Sequence, residues 1–429
     1  MGESEKLIVD LAYGTTGIKV DVPDSAVVLR QKFIPGIEDI QSAIVEALDS
    51  PIGLPTLSEL IIPGMKVVIL HTDITRATPN RVILPVLLSY LERHGLSRDE
   101  ITLINGLGTH RAQTQDEMVQ LLGSEIVERY RCLQHDGNYP DNLVVIGESS
   151  FGHPLAINRL VAEADLRILT GFIEPHFFAG FSGGPKAILP GTAGAQTIQQ
   201  NHGYGMISHP AATFGETLGN PIWEEMREVV DLVGPNFLLN VTLNAENAIT
   251  GIFTGDVLES HQAGCRFVKQ NAMAAVEQPF DVVLTTNSGY PLDQNLYQSI
   301  KGISAASQVV RPGGAILLAA RCIEGLPDHG GYASFLRDAG SVEAVLEMLS
   351  QPDFSLQDQW QVQVQAQMQQ KADVYVYSEG LTDQQIREAL FIPSRSLESD
   401  LTQLMQRYGE RVCVLPEGPL TIPFVAKNE

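Results

Sequence analysis

Apolar residues along this chain come in short, near-continuous runs that stop at polar or turn-forming residues. Runs at 66–70, 101–104, 143–146 and 166–169 end at HTDITR, NGLGTH, GESS and TGFIEPH. Runs of that length, rich in β-branched residues, predict strands buried on both faces of a parallel sheet. Between them the spacing turns helical. Residues 81–93 carry apolar positions at helical intervals, and Thr114 with Glu117 makes a capping box ahead of Met118, Leu121 and Leu122. Strand alternating with helix predicts an α/β fold with doubly wound sheets. Asn220-Pro221 predicts a helix start and Gly234 its stop, and 237–242 with 249–253 predicts a hairpin.

A helical stretch over roughly 256–277 leads into a second set of strands at 281–285, 315–319, 374–377 and 411–415. The expected organisation is two α/β domains with mainly parallel sheets. The N-terminal domain covers 1–260, a helical linker 261–280 and the C-terminal domain 281–410. A closing strand and tail cover 411–429, and that strand can return to either domain. The glutamine-rich stretch 357–370 keeps helical spacing at Trp360, Val364 and Met368. Ligands of such sheets collect beyond the carboxyl ends of the strands, so the active site is expected there, in the cleft between the domains.

Composition narrows the partners. The formal net charge is −23, with 28 Lys and Arg against 51 Asp and Glu. Neutralising a phosphate backbone or an anionic membrane takes clustered cations, so neither nucleic acid nor membrane is an expected partner. A small acidic substrate remains open to such a chain if a few cations converge in one cleft. Cys132, Cys265, Cys322 and Cys413 are scattered, with no CxxC pair, and read as thiols in a reducing compartment. The N-terminus lacks a basic and apolar leader, and no apolar run reaches membrane-spanning length. A soluble, cytoplasmic protein is the expectation.

Four polar clusters follow the expected strands. In His71-Thr-Asp-Ile-Thr-Arg76, Asp73 and Arg76 can face one ligand, with free N–H groups and the Arg76 fork suited to an anion. The same spacing equally suits an Asp cap beside a solvated Arg. Gly106-Leu-Gly-Thr-His110-Arg111 begins like a dinucleotide turn but has Arg111 where the third glycine belongs, and it presents His110 as a candidate acid or base. A plain surface histidine is the alternative.

The segment 174–186, with His176, Gly180, Gly183, Gly184 and Lys186, is the densest, and His202 follows it. Its glycines allow close backbone approach and an N–H cradle, while Lys186 suits a covalent anchor or a point charge. It is no P-loop, since Pro185 precedes the lysine and Ala187 replaces the magnesium-binding hydroxyl. In 289–302, Tyr297 or Gln298 can share a helix face with Lys301 and hold a carboxylate, although an ordinary amphipathic helix has the same spacing.

These motifs together resemble the lactate racemase family, whose members use a nickel-pincer nucleotide. DITR at 73–76, THR at 109–111, EPHFFAGFSGGPKAILPG at 174–191 and GYPLDQNLYQSIKG at 289–302 stand in the family's order, and the likeness runs over nearly the whole chain. The resemblance implies a 2-hydroxyacid racemase or epimerase. It implies a pyridinium mononucleotide whose two thio-acyl arms hold nickel through a carbon and two sulfurs, loaded by cofactor-making enzymes. It implies a tether at Lys186, a nickel ligand at His202, and cofactor and substrate contacts from Asp73, Ile74, Thr75 and Arg76. His110 and His176 match the acid–base pair. Tyr297, Gln298 and Lys301 match the groups around the substrate carboxylate, and Trp360 resembles a position near the site.

The implied chemistry suits a carbinol C–H, which is too weakly acidic for a histidine to deprotonate, so hydride transfer through a 2-oxoacid is the easier route. The family's lactate enzymes follow the loop histidine with Arg-Pro, whereas Arg111 here precedes Ala112. Members acting on malate-like, aromatic and sugar acids exist, and lactate or another short 2-hydroxyacid is the expected substrate. Two other readings compete. An NAD-dependent dehydrogenase needs an intact GxGxxG, and none is present. A non-catalytic two-lobed binding protein leaves His110 and His176 without a task.

Overall fold

The computed structural model describes residues 6–327, 331–351, 354 and 359–426. Gln357 and Asp358 of the glutamine-rich stretch and the tail 427–429 lie outside the described residues, as do 352, 353 and the first five. The chain divides into two compact units, one formed by 33–269 and the other by the N-terminal residues up to 32 together with the chain from 270 onward. Among the described residues, no helix is long and apolar enough to cross a membrane.

The unit formed by 33–269 is built on a six-stranded sheet. Its spatial order is Ile249–Gly255, Asn236–Leu243, Leu166–Phe172, Val67–Thr72, Ile101–Gly106 and Arg131–Gln134. All neighbours run parallel except the hairpin Asn236–Leu243 with Ile249–Gly255 at one edge. Leu166–Phe172 is buried at every position, as a central strand covered on both faces must be. One face packs Val67, Ile69, Leu103, Ile168 and Leu239 against helices that include Asn80–Arg93. The other face carries Asn240 and the turn Gly184–Ala187.

Two strand expectations change here. The run at 143–146 lies in Leu143–Glu148, which pairs antiparallel with Pro154–Asn158 in a separate ribbon and is only partly buried. The sheet position is taken instead by Arg131–Gln134, whose RCLQ sequence carries too few apolar residues to show as a run, as an edge strand permits. The helix start at Asn220 holds, since its side chain accepts the Ile222 N–H and the helix spans Pro221–Leu232.

The second unit has an all-parallel six-stranded sheet in the order Ile392–Ser394, Ala372–Tyr377, Val310–Ala319, Phe280–Thr286, Val412–Leu415 and Val27–Val28. The closing strand therefore belongs to this unit. Residues up to 32, expected in the N-terminal domain, pack here as well. Val27–Val28 extends the sheet edge beside Val412–Leu415, and the hairpin Lys6–Leu11 with Ile18–Pro23 buries Val9, Leu11, Val20 and Val22 against Leu397, Leu401 and Leu404. The connecting helix spans Val257–Ala272. Met273–Val276 then turns to strand and pairs with Ile422–Val425, so the helical stretch is shorter than its sequence pattern.

Candidate functional site

Most of the candidate residues stand on loops at the carboxyl ends of strands in the unit formed by 33–269, where the sequence pattern placed them. Asp73 follows Val67–Thr72 and is buried. Its Oδ1 accepts the Thr75 hydroxyl at 2.7 Å and the Thr75 N–H at 3.2 Å. Its Oδ2 accepts His110 Nδ1–H at 2.5 Å. Burial alone would raise the Asp73 carboxyl, but the hydrogen bond and charge of His110, with Thr75 and Arg76, outweigh it and hold the pKa below the usual range. The carboxylate side chain is 3% exposed and the histidine 46%, so one partner is a fixed anchor and the other reaches solvent. With Nδ1 donating to a carboxylate, Nε2 becomes the basic nitrogen of the neutral ring. Asp73 thus orients His110, a role that the Asp-Arg spacing did not reveal.

The Gly-Leu-Gly turn before His110 serves the fold. Gly108 N–H donates to Gly191 O at 3.0 Å, and no helix opens there as a dinucleotide turn would require. The next helix, Gln115–Leu122, starts only after Thr114 completes its capping box. Arg111 is turned to Glu117, with contacts of 2.6 and 2.8 Å.

His176 and Lys186 form the second pair. The Ala179 N–H faces His176 Nδ1 at 3.3 Å, which makes Nδ1 an acceptor and leaves the ring proton on Nε2. Nε2 lies 3.4 Å from Lys186 Nζ. An N–H and an ammonium are both donors, so this contact favours a neutral amine with its lone pair toward the ring. The electrostatics agree: burial and then the Arg76 charge push the Lys186 pKa down to about 7, against the opposing pull of Glu174. The Phe178 face, 5.6 Å from Nζ, favours the ammonium and is outweighed. Phe177 and Phe178 also pack on His176, at ring distances of 4.9 and 4.6 Å.

His202 caps the helix Ala195–Asn201, is buried, and meets the edge of Phe178 at 5.0 Å between centroids. Burial, with the Lys186 charge adding to it, pushes its pKa down to about 3, so the imidazole stays neutral. Arg76 acts electrostatically on both Asp73 and Lys186, and Lys186 on His202, which puts these groups in one neighbourhood. Ile74 is half-buried and Thr75 exposed at the same loop. Neutral amine, neutral imidazole and an oriented histidine base are three groups with lone pairs to offer. Among the described residues, no group of three or more His, Cys, Asp or Glu could hold a metal ion. A metal at His202 therefore needs most of its ligands from a bound molecule.

Tyr297, Gln298 and Lys301 lie in the other unit, on Leu296–Ser307, and all three are half-buried. Asn295 caps that helix by accepting Gln298 N–H at 3.0 Å, and Gln361 Nε2 donates to Tyr297 O at 2.6 Å. Trp360 is half-buried on Gln359–Lys371. Sequence reasoning did not reach Asn201 and Glu225. Asn201 Nδ2, beside His202, donates to buried Glu225 at 2.8 Å, and Ser149 and His153 complete that carboxylate's contacts at 2.6 and 2.7 Å. An Asn at a helix end and a Glu on an amphipathic helix carry no local signal of such a network.

Strand-end histidines beside a half-buried lysine are residue types from which catalytic sites are built. Residues 13–215 match the lactate racemase N-terminal domain and residues 275–422 the lactate racemase C-terminal domain. The lactate racemase of Thermoanaerobacterium thermosaccharolyticum is 34% identical over 420 residues, covering 96% of this chain and 97% of that one. The lactate racemase of Lactiplantibacillus plantarum is 35% identical over 386 residues, covering 88% and 89%. The solved apoprotein of the Thermoanaerobacterium enzyme superposes with a TM-score of 0.89 at 32% identity, over 97% of this chain and all of that one. A Thermotoga maritima protein shares the fold at a TM-score of 0.66 and 18% identity, over 92% of this chain and all of that one. The chain belongs to the lactate racemase family, and is an isomerase.

The state of Lys186 can be read directly. In the protein without cofactor, acetic anhydride labelling of Lys186 should rise as pH passes about 7, as the ammonium gives way to the amine, whereas exposed lysines follow near pH ~10.4. Peptide mass mapping across pH measures both. A Lys186 midpoint coincident with the exposed lysines contradicts the neutral amine.

Proposed function

We propose that this protein racemises or epimerises a 2-hydroxyacid, lactate or another short one, in the cytoplasm, using a nickel-pincer nucleotide tethered to Lys186. The observation that carries the reading is the Lys186 amine, half-buried beside His176 with its pKa pushed down to about 7, in a chain of the lactate racemase family. A neutral amine is the form that can be acylated, and a neutral, buried imidazole at His202 is the form that can ligate nickel. That the solved relative is an apoprotein agrees with a separable cofactor in the family. Enzymes that make the cofactor are then needed as loading partners.

When bound, the nucleotide supplies a reversible hydride acceptor for the carbinol carbon, at which the substrate reaches the 2-oxoacid level. The chain's own residues do the rest. His110 accepts the hydroxyl proton at Nε2, and the Asp73 carboxylate on Nδ1 stabilises the imidazolium that results. His176, whose Nε2 carries the ring proton, would donate to the hydroxyl oxygen of the other antipode. Arg76 holds the carboxylate, so that the ketone reorients without leaving, and Tyr297, Gln298 and Lys301 on Leu296–Ser307 are assigned to carboxylate binding by the family resemblance alone. Ile74 and Thr75 complete the loop against the cofactor.

Co-expression with the cofactor-making enzymes tests the loading. The intact mass should exceed that of the chain by one nickel-bearing mononucleotide on the Lys186 peptide. Lys186→Ala should lose the adduct, and His202→Ala should lose nickel and turnover together. Full adduct in Lys186→Ala, or full nickel and turnover in His202→Ala, would remove those residues from their roles.

A second variant separates catalysis from loading. Asp73→Asn should lower turnover by roughly 10²–10⁴-fold, the range for lost general acid–base catalysis, with adduct and nickel at wild-type levels. Undiminished turnover in the loaded variant rejects Asp73 as the orienting partner of His110.

A further inference from the structure

The loop bearing Lys186 is held by two buried polar side chains that are distant in sequence. Asn240 sits among leucines and valines in Asn236–Leu243 and is 1% exposed. Its Oδ1 accepts Gly184 N–H at 2.8 Å, and its Nδ2 donates to the carbonyls of Leu239 at 3.1 Å and Leu169 at 3.3 Å. His261, fully buried on Val257–Ala272, meets the carbonyl of Ser182 at 2.9 Å through Nε2. A carbonyl can only accept, so Nε2 carries the proton. Nδ1 then faces the Cys265 thiol at 3.6 Å, one turn along the helix.

These contacts fall on Ser182 and Gly184, either side of Gly183. Ser182 Oγ donates to Phe172 O at 3.0 Å and accepts Glu174 N–H at 3.0 Å, which ties the same segment to the end of Leu166–Phe172. Gly183 and Gly184 have φ of 76° and 56°, and a Cβ on them would run into Asn240 and the His261 ring respectively. The glycines therefore let the loop close on the protein's own side chains. Lys186 N–H then donates to Gly183 O at 3.2 Å, so the clamped segment sets where the lysine starts. Burying an Asn and a His costs desolvation, which these hydrogen bonds offset only while the loop stays in place.

We propose that Asn240 and His261 are positioning residues that clamp the backbone of 182–184 and thereby hold the Lys186 amine beside His176. The proposal rests on reading Lys186 as the tether, yet its test needs no cofactor. The probe is acetic anhydride on the cofactor-free protein near neutral pH, with Lys186 labelling read against exposed Lys19 in the same digest. Asn240→Ala and His261→Leu should each lower that ratio by roughly 10-fold or more, since a misplaced group loses reactivity steeply. His261→Gln, which still offers an N–H to the Ser182 carbonyl, should recover to within about threefold of wild type.

Circular dichroism melts identify the folded variants, and Asn240→Ala decides the matter if His261→Leu does not fold. Wild-type labelling in the folded variants overturns the proposal, as does a His261→Gln protein no more reactive than His261→Leu. A holoprotein without a Lys186 adduct rejects the tether and leaves the labelling comparison valid.

Discussion

The constraint on which the site depends is an amine taken out of water with a histidine as its neighbour. An ammonium so placed is disfavoured: His176 Nε2 stands 3.4 Å from Lys186 Nζ, and the pull of Glu174 does not restore the usual lysine pKa. Arg76 adds its own charge to the penalty. Its surroundings therefore bring the loss of the Lys186 proton down to about pH 7, far below the usual lysine range, and much of the local architecture contributes to that. Phe177 and Phe178 wall the site, Ala179 turns its N–H to the far side of the His176 ring, and the turn Gly184–Ala187 fixes the lysine at its root.

The two histidines proposed as the acid–base pair differ in what supports them. His110 is paired to a buried carboxylate, so proton uptake there creates an ion pair. His176 has a backbone N–H at Nδ1 and the Lys186 amine at Nε2. A racemase needs a base on both sides of its substrate, but the two need not be equally strong. In this reading the Asp73 carboxylate stabilises the imidazolium that forms at His110.

Much of this was legible in the chain. Two α/β domains followed from apolar runs alternating with helical spacing, because strands buried on both faces leave no polar alternation to confuse the pattern. His110, His176 and Lys186 stood out as candidates because strand-end loops with glycine and histidine depart so clearly from core composition, and His202 because it follows the densest of them. Placement of the first 32 residues was hidden, since a two-residue strand such as Val27–Val28 has no periodicity and its partner lies almost four hundred residues away at Cys413 and Val414. The link from Asp73 to His110 was hidden for a related reason. Thirty-seven residues separate them, and only the adjacency of Val67–Thr72 and Ile101–Gly106 in the sheet brings them together.

The central claim is that both histidines handle the hydroxyl proton while the carbon-bound hydrogen travels as hydride and is returned. Loaded enzyme supplied with one antipode of lactate deuterated at C2, in ordinary water, measures this directly by mass spectrometry of the opposite antipode at low conversion. The product should keep its deuterium, because a hydride held on the enzyme does not exchange with solvent. Loss of deuterium to solvent in the product, at the rate of racemisation, would show a proton abstracted from carbon by a protein base and would contradict that claim.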